Sequence, residues 1–165
     1  MRHSISAINQ MNQAEFVALL GAVFEETPEI ARRAWCDRPF ETISDLHQKM
    51  VAVVNTISLT DQLVLIQAHP DLGSRVEMAD ASIQEQAGAG LNQLNPAEYK
   101  RFQSLNSAYK DKFGFPFILA VKGHTKENIL AAFETRLEND KNDETQQALK
   151  EIFQIARFRL NDLLD

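Results

Sequence analysis

Residues 95–121 read NPAEYKRFQSLNSAYKDKFGFPFILAV, and this stretch decides the fold class. Asn95-Pro96 opens a helix, because the fixed φ and missing N–H of proline suit the first helical turn. Gly114 ends this helix, since glycine readily takes the left-handed conformation that follows a last turn. Between these points the apolar and aromatic side chains recur at the three- and four-residue spacing of one buried helix face. They are Tyr99, Phe102, Leu105, Tyr109 and Phe113.

A strand-like run follows this helix, Phe115-Pro116-Phe117-Ile118-Leu119-Ala120-Val121. A strand needs a hydrogen-bonded neighbour, and we find no second run of this kind in the chain. Pro116 also keeps the run from continuing as a helix, because it lacks an N–H and crowds the preceding turn. We therefore predict one buried extended segment over about residues 115–122 in place of a sheet.

The rest of the chain shows helical spacing in both directions from this stretch. Each further helix begins at a capping residue with an apolar stripe behind it. The predicted starts are Asn12, Thr27-Pro28, Thr42, Thr60, Ser82 and Thr125, and a last helix runs from about Glu144 to Leu163. Residues 71–81 and 138–143 are predicted to be irregular. The prediction is an all-α fold, a single compact multi-helix domain over residues 1–165.

The composition is that of an ordinary globular protein, with 165 residues of which 44% are hydrophobic and 24% are charged. The net charge of -6 argues against a nucleic-acid partner, which needs a basic face. Neither a membrane-spanning run nor a secretory signal is visible. The end Leu163-Leu164-Asp165 is not a peroxisomal address, and the single Cys36 excludes an internal disulfide. We therefore expect a cytoplasmic protein with no membrane partner.

His69 is the first candidate for chemistry. It precedes Pro70, and a residue before proline is pushed out of the helical region, so the helix that opens at Thr60 must stop near Ala68. His69 then lies where a helix passes into a loop. A histidine at this position either interacts with the helix dipole or serves as a proton-transfer group, since imidazole titrates near neutral pH.

The second candidate is the pentapeptide Ser82-Ile83-Gln84-Glu85-Gln86. Its spacing is that of a capping box, in which Ser82 accepts from a first-turn amide and Glu85 reaches back. A helix N-terminus also offers free amides to a ligand, and Glu85 and Gln86 would add polar contacts. The sequence leaves both the structural and the ligand-binding interpretation open.

The third candidate is Arg159, which falls on the apolar stripe of the last helix with Leu149, Ile152 and Ala156. An arginine that faces a core needs a carboxylate or a set of carbonyls, because an unpaired buried charge is very costly. Its partner is either an internal acid or the anionic group of a substrate. Arg157 lies on another face and is predicted to be a solvated surface charge.

Patterns for metals and cofactors are missing from the sequence. The four histidines do not pair at the spacing of a helical zinc site, and no carboxylate cluster accompanies them. The glycine patterns of nucleotide-binding loops and of the nucleophile elbow are missing as well. The sequence thus shows no pattern typical of a metal or nucleotide site, although a metal site could still assemble from distant residues.

Four segments together resemble a known family. They are Ala68-His69-Pro70-Asp71-Leu72, Ser82-x-x-Glu85-Gln86-x-Gly88-Ala89-Gly90-Leu91, Phe113-Gly114-Phe115-Pro116-Phe117 and Phe158-Arg159-Leu160, and Arg38-Pro39-Phe40 fits an early segment. In type and order they are similar to the 2-oxo-4-hydroxy-4-carboxy-5-ureidoimidazoline (OHCU) decarboxylases of the urate pathway. The likeness spans nearly the whole chain.

The resemblance implies an all-α homodimer without cofactor that converts OHCU to (S)-allantoin and CO2. It also implies the site. We expect His69 to act as general acid/base and Glu85 to be a second catalytic residue, which orients His69 or binds substrate N–H groups. In the resemblance, His69 matches the catalytic histidine and Pro70 its substrate-contacting neighbour. The substrate-binding residues that it implies are Pro70, Ser82, Ile83, Gln84, Glu85, Gln86, Phe117, Ile118, Leu119, Ala120, Val121 and Arg159.

Two other functions use the same residues differently. One is a cofactor-free hydrolase or isomerase of another cyclic ureide, which would release no CO2. The other is a helical ligand-binding or scaffold protein, in which His69 is a helix-end residue and Ser82 only a cap. Product analysis and turnover by the purified protein distinguish these functions from the decarboxylase.

Overall fold

The computed structural model describes residues 1–74 and 78–165, and these residues form nine α-helices and one short 3-10 helix without a β-strand. The helices are α1 Ile5–Gln10, α2 Gln13–Leu20, α3 Glu29–Ala34, α4 Ile43–Thr56, α5 Leu59–Gln67, α6 Asp80–Gly88, α7 Pro96–Phe113, α8 Lys126–Leu137 and α9 Lys141–Leu163. The 3-10 turn is Trp35–Asp37. The predicted all-α fold class is confirmed.

Side-chain caps confirm four of the predicted helix starts. Asn12 and Asn95 each form a complete capping box with a glutamate three residues later. Thr42 and Thr125 accept hydrogen bonds from amides of the first turn of α4 and α8. Gly114 follows α7 in the left-handed conformation, with φ 79°, as its position at the helix end predicts.

The predicted start at Ser82 is wrong. Helix α6 begins at Asp80, and the residue before it, Ala79, makes no side-chain cap. Ser82 is thus inside the helix, and no capping box forms there. An acid in the first turn favours the earlier start through the helix dipole. Of the predicted irregular stretch 71–81, residues 75–77 lie outside the described residues.

Three other boundaries differ by a few residues. Helix α9 begins at Lys141, because Asp140 accepts a hydrogen bond from the amide of Asp143, so only residues 138–140 connect α8 to α9. Helix α5 begins before Thr60 because Ser58 caps it. The position before α3 is Pro28, and the Thr27 hydroxyl donates to the Glu25 carbonyl instead of capping.

The chain divides into two compact units. Unit 1 comprises Met1–Ala68 and Phe153–Asp165, with α1 to α5 and the end of α9. Its core is aliphatic and aromatic. The half-buried Arg38 donates to the carbonyls of Trp35, Asn9 and Met11. The organisation of residues 1–165 as a single domain stays a prediction.

Unit 2 is His69–Ile152 and contains α6, α7, α8 and the beginning of α9. Its core is a cluster of aromatic rings around Tyr109, which contacts Phe113, Phe115, Phe117 and Phe133. The predicted segment after α7 is confirmed as buried and free of regular structure, since residues 115–121 are all buried and none is helical.

Within the described residues, no single helix has the length and apolar character that crossing a membrane requires. Helices α4 and α5 reach that length and composition only as a pair, and the two are bent by 117° at the break between them.

Candidate active site

His69 is the first residue of unit 2 and follows the C-cap of α5 at Ala68. The predicted position between a helix end and a loop is therefore confirmed. The side chain is only 8% exposed. A histidine at a helix end is usually solvated, so its burial favours a specific role over a simple interaction with the dipole. Pro70 beside it is half-buried.

The loop after Pro70 is held by α6 and α7. The side-chain oxygen of Gln86 accepts from the amide of Gly73 at 2.9 Å, and its Nε2 donates to the carbonyl of Asp71 at 3.4 Å. Asn106 donates from Nδ2 to the carbonyl of Leu72 at 2.8 Å. These bonds satisfy buried backbone groups that a loop cannot satisfy by itself. They fix the chain directly after the His69-Pro70 dipeptide.

Gly73 is a point at which this loop tolerates no side chain. Its φ is +72°, and a Cβ atom there would lie 2.9 Å from Cδ1 of Leu94 and 3.3 Å from Phe102. We expect Gly73→Ala to lower the free energy of unfolding by about 1–2 kcal/mol from the left-handed conformation alone, with a further cost from the contact. Urea unfolding measures this change.

Gly88→Ala is the matched control for Gly73→Ala. Gly88 is the last residue of α6, and a Cβ atom there would meet nothing within 4 Å. Alanine is a better helix former than glycine, so this variant should keep or raise the free energy of unfolding. Equal losses in both variants would contradict the assignment of strain to Gly73.

The predicted pentapeptide divides between two faces of α6. Ser82 and Gln86 are buried at 4% and 6% exposure, and Glu85 is half-buried on the same face. Ile83 and Gln84 are exposed. The spacing of one helix turn explains why Ser82, Glu85 and Gln86 point together while the two residues between them point away.

The segment Phe117-Ile118-Leu119-Ala120-Val121 is buried along its whole length, with side-chain exposures between 0% and 8%. Three of its backbone groups are paired: the carbonyl of Ile118 with Arg136, the amide of Ala120 with Glu151, and the carbonyl of Val121 with the amide of His124.

Other backbone groups of this segment have no hydrogen-bond partner among the described residues. They include the amides of Ile118 and Leu119 and the carbonyls of Leu119 and Ala120. Buried backbone groups are nearly always paired with protein, water or a ligand. This segment therefore offers both donors and acceptors to a small molecule with amide-like edges.

Arg136, which binds the carbonyl of Ile118, forms a buried ion pair with Glu144 that the sequence did not lead us to predict. Glu144, which is 0% exposed, accepts from Nε and Nη2 of Arg136 at 3.0 and 2.8 Å. Tyr109 and Asn139 donate to the same carboxylate. Arg136 continues the stripe of Ile129 and Phe133 on α8, and this is the signal that could have revealed it.

The hydrogen bonds of this cluster decide its ionisation. Burial by itself would raise the pKa of Glu144, but the hydrogen bonds from Arg136, Tyr109 and Asn139 outweigh it and hold the pKa below its usual value. Burial and the hydrogen bond to Glu144 raise the pKa of Tyr109 well above its usual value. Glu144 is thus ionised and Tyr109 neutral at neutral pH.

Arg159 belongs to unit 1 and is paired with an internal acid. Its Nη2 lies 2.9 Å from Oε2 of Glu25, and these side chains are 6% and 3% exposed. Nη1 also donates to the carbonyls of Ala22 and Val23 at 3.3 and 3.4 Å. The predicted burial and need for a partner are confirmed, and of the two alternatives left by the sequence the structure shows the internal acid.

Arg157 is half-buried and not fully solvated as predicted. It lies near His47, whose Nε2 donates to the carbonyl of Phe153 at 2.7 Å. Burial lowers the pKa of His47, and the charge of Arg157 lowers it further, against the opposing effect of that hydrogen bond.

Unit 2 contains His69, Pro70, the pentapeptide of α6 and the segment 117–121, whereas Arg159 lies in unit 1. Among residues 1–74 and 78–165, no three His, Cys, Asp or Glu side chains gather in a group that could hold a metal ion.

Comparisons with known proteins point to one family. The family model for OHCU decarboxylase matches residues 9–161. The OHCU decarboxylase of Halalkalicoccus jeotgali is 46% identical over 98% of this chain and 92% of its own length. The uric acid degradation bifunctional protein PucL of Bacillus subtilis is 48% identical over 95% of this chain, which spans 32% of that relative.

A solved structure agrees with this assignment. The crystal structure of (S)-allantoin synthase superimposes with a TM-score of 0.81 and 34% identity over 98% of this chain, which spans 54% of that structure. The range that the family model matches, residues 9–161, includes all the motifs above, and the relative at 46% identity covers nearly the whole chain. The chain therefore belongs to the OHCU decarboxylase family.

Proposed function

We propose that this chain decarboxylates OHCU to (S)-allantoin and CO2 in urate degradation, without a cofactor and with His69 as general acid/base. The decarboxylase activity follows from membership of the family. The observation that carries the role of His69 is its burial at 8% exposure, directly before a loop that Gln86 and Asn106 hold in place.

The chemical structure of OHCU explains why protein side chains can catalyse its decarboxylation without a cofactor. The departing carboxylate is on a carbon that also bears a hydroxyl and lies beside a C=N bond. When the bond to the carboxylate breaks, CO2 leaves and the electron pair moves toward the imine nitrogen, so the substrate is its own electron sink. The imine nitrogen takes up a proton. The hydroxyl then loses its proton and becomes the carbonyl of allantoin, and the neighbouring carbon gains a proton on one face.

The residues of unit 2 have distinct roles in this proposal. His69 handles the proton of the hydroxyl next to the carboxylate, because imidazole exchanges protons near neutral pH. Glu85 orients His69 or binds substrate N–H groups, and Ser82 hydrogen-bonds the ring or the ureido group. Gln86 holds the loop as well as contacting the substrate. Pro70 contacts the substrate as part of the wall of the proposed site.

The remaining contacts complete the substrate site. The unpaired backbone groups of Phe117, Ile118, Leu119, Ala120 and Val121 bind the amide-like edges, in buried surroundings where hydrogen bonds count for more than in water. Arg159 would orient an anionic or carbonyl oxygen through the guanidinium that Glu25 holds. Ile83 and Gln84 are proposed as contacts although their side chains are exposed in this chain.

We further propose that the protein is a cytoplasmic homodimer and that residues 1–165 act as a single domain. These statements rest on the resemblance and on the composition. Size-exclusion chromatography with light scattering tests the dimer, and a single cooperative unfolding transition of the purified chain tests the single domain.

The stereochemistry of the product tests the proposed function. Spontaneous decay of OHCU gives racemic allantoin, so purified protein treated with a chelator should produce a circular dichroism signal of the S enantiomer from freshly generated OHCU, together with CO2. Racemic product at the spontaneous rate would contradict the proposal. A different product without CO2 would indicate a hydrolase or isomerase, and no turnover would indicate a ligand-binding protein.

A further inference from the structure

The segment 117–121 belongs to no helix, and no strand is present in residues 1–74 or 78–165 to support it. Its backbone must therefore be held by side chains from other elements. A loosely held segment would present its unpaired groups in many orientations, and a ligand would have to order them on binding, which lowers affinity. The contacts that fix this segment are thus relevant to substrate binding.

Two helices supply these contacts. Arg136 on α8 donates from Nη1 to the carbonyl of Ile118 at 2.5 Å, and Glu151 on α9 accepts from the amide of Ala120 at 2.9 Å. The ring of Phe117 stacks on Phe133 with 3.7 Å between centroids, and the Arg136 guanidinium lies 4.3 Å from the Phe117 ring centroid.

The guanidinium of Arg136 is itself fixed by Glu144. Nε and Nη2 are used by the carboxylate, which leaves Nη1 aimed at Ile118. A buried ion pair rarely stabilises a fold more than apolar side chains of the same volume would. The pair between Arg136 and Glu144 is therefore better explained by the geometry that it imposes on the segment than by stability.

The two side-chain anchors lie on either side of Leu119. Arg136 binds the carbonyl of Ile118, and Glu151 binds the amide of Ala120. A third paired group, the carbonyl of Val121, accepts from the amide of His124. The N–H and C=O of Leu119, between the two anchored residues, make no hydrogen bond among the described residues.

We propose that Arg136, held by Glu144, and Glu151 are positioning residues that hold the backbone of Leu119 in the orientation in which it binds the substrate. This inference rests on the proposed function, in which residues 117–121 bind OHCU. These residues need not touch the substrate, since they act through Ile118 and Ala120. Their effect falls on substrate binding and on the face that receives the proton.

Steady-state kinetics of Arg136→Lys and Glu151→Met test the proposal. Lysine keeps a charge for Glu144 but cannot also reach Ile118 in the same geometry, and methionine removes the acceptor of the Ala120 amide. We expect KM for OHCU to rise roughly tenfold in each variant, with a smaller enantiomeric excess of allantoin. A purely structural role would lower kcat through the folded fraction and leave KM unchanged.

Two comparisons make the kinetic test specific. Glu151→Gln keeps an oxygen acceptor and should restore KM toward the wild-type value. Arg101→Lys changes an exposed arginine of α7 that pairs with Glu134, and it should leave KM unchanged. Folded Arg136→Lys and Glu151→Met proteins with wild-type KM and stereochemistry would overturn the proposal.

Hydrogen–deuterium exchange tests the same inference without substrate. Exchange of the amides in residues 117–121 should be faster in Arg136→Lys than in the wild type, and exchange in α4 should not change. Unchanged exchange in the segment would overturn the inference. A wild-type protein that makes no (S)-allantoin would contradict the proposed function. An active wild type whose variants keep the wild-type KM and stereochemistry would contradict only the positioning role.

Discussion

His69→Ala and His69→Asn are expected to lose most of the enzymatic rate while they remain folded. Proton transfer by a positioned side chain contributes about 10²–10⁴-fold to a rate, and neither alanine nor asparagine exchanges a proton near neutral pH. The side chains of Gln86 and Asn106 hold the loop after Pro70, so its backbone should persist in the variants. Circular dichroism of allantoin formed from freshly generated OHCU measures the loss.

The matched control for these variants is His124→Ala. His124 is another histidine of unit 2, and the contact that it makes with the segment uses its backbone amide, which donates to the carbonyl of Val121. This variant should keep both the rate and the handedness of the product. Thermal melts of all three variants show whether they fold. An unchanged rate in folded His69→Asn would remove His69 from the mechanism.

Arg159→Met is expected to destabilise the protein strongly. Glu25 is 3% exposed, and the variant leaves its carboxylate without the guanidinium that lies 2.9 Å away. Removal of one partner from a buried ion pair typically costs about 3–5 kcal/mol. Urea unfolding of the variant and the wild type at neutral pH measures the difference in the free energy of unfolding.

The double variant Glu25→Met/Arg159→Met separates the two roles of Arg159. It removes both charges, so its free energy of unfolding should lie well above the value that the sum of the two single losses predicts. Its decarboxylase rate should nevertheless stay low, because the proposed oxygen contact is still missing. Recovery of activity together with stability would mean that Arg159 supports activity only by stabilising the folded protein and makes no contact with the substrate. Arg159→Lys, with a charge but no planar fork, should be folded and impaired.

The helices were largely predictable because their signals are local. The capping box at Asn95, the stripe from Phe102 to Phe113 and the glycine after it lie within a few turns of chain, and α7 has those bounds. The error at Ser82 has the same origin. A serine followed by a glutamate at the right spacing also occurs inside a helix, and Asp80 offered a competing start.

The candidate site was predictable in part. The burial of Arg159 follows from the helical stripe, but its partner Glu25 is distant in sequence and carries no local signal. Gln86 was predicted as a ligand contact, and the structure also shows it holding the loop at Gly73. The pair of Arg136 and Glu144 was missed, because the position of Arg136 on the buried stripe of α8 is a local signal but its partner on α9 carries no signal that links the two.

The sequence by itself determined the helical class, the irregular buried segment after α7, the place of His69 at a helix end and the family motifs. Each of these depends on periodicity, capping or residue order, which are properties of short stretches. Only the tertiary structure decided which buried charges pair and which backbone groups of residues 117–121 stay unpaired. Such pairing depends on the path of the chain between distant residues. The sequence thus predicted His69 as a candidate residue, and the tertiary structure showed the contacts that hold the loop after it.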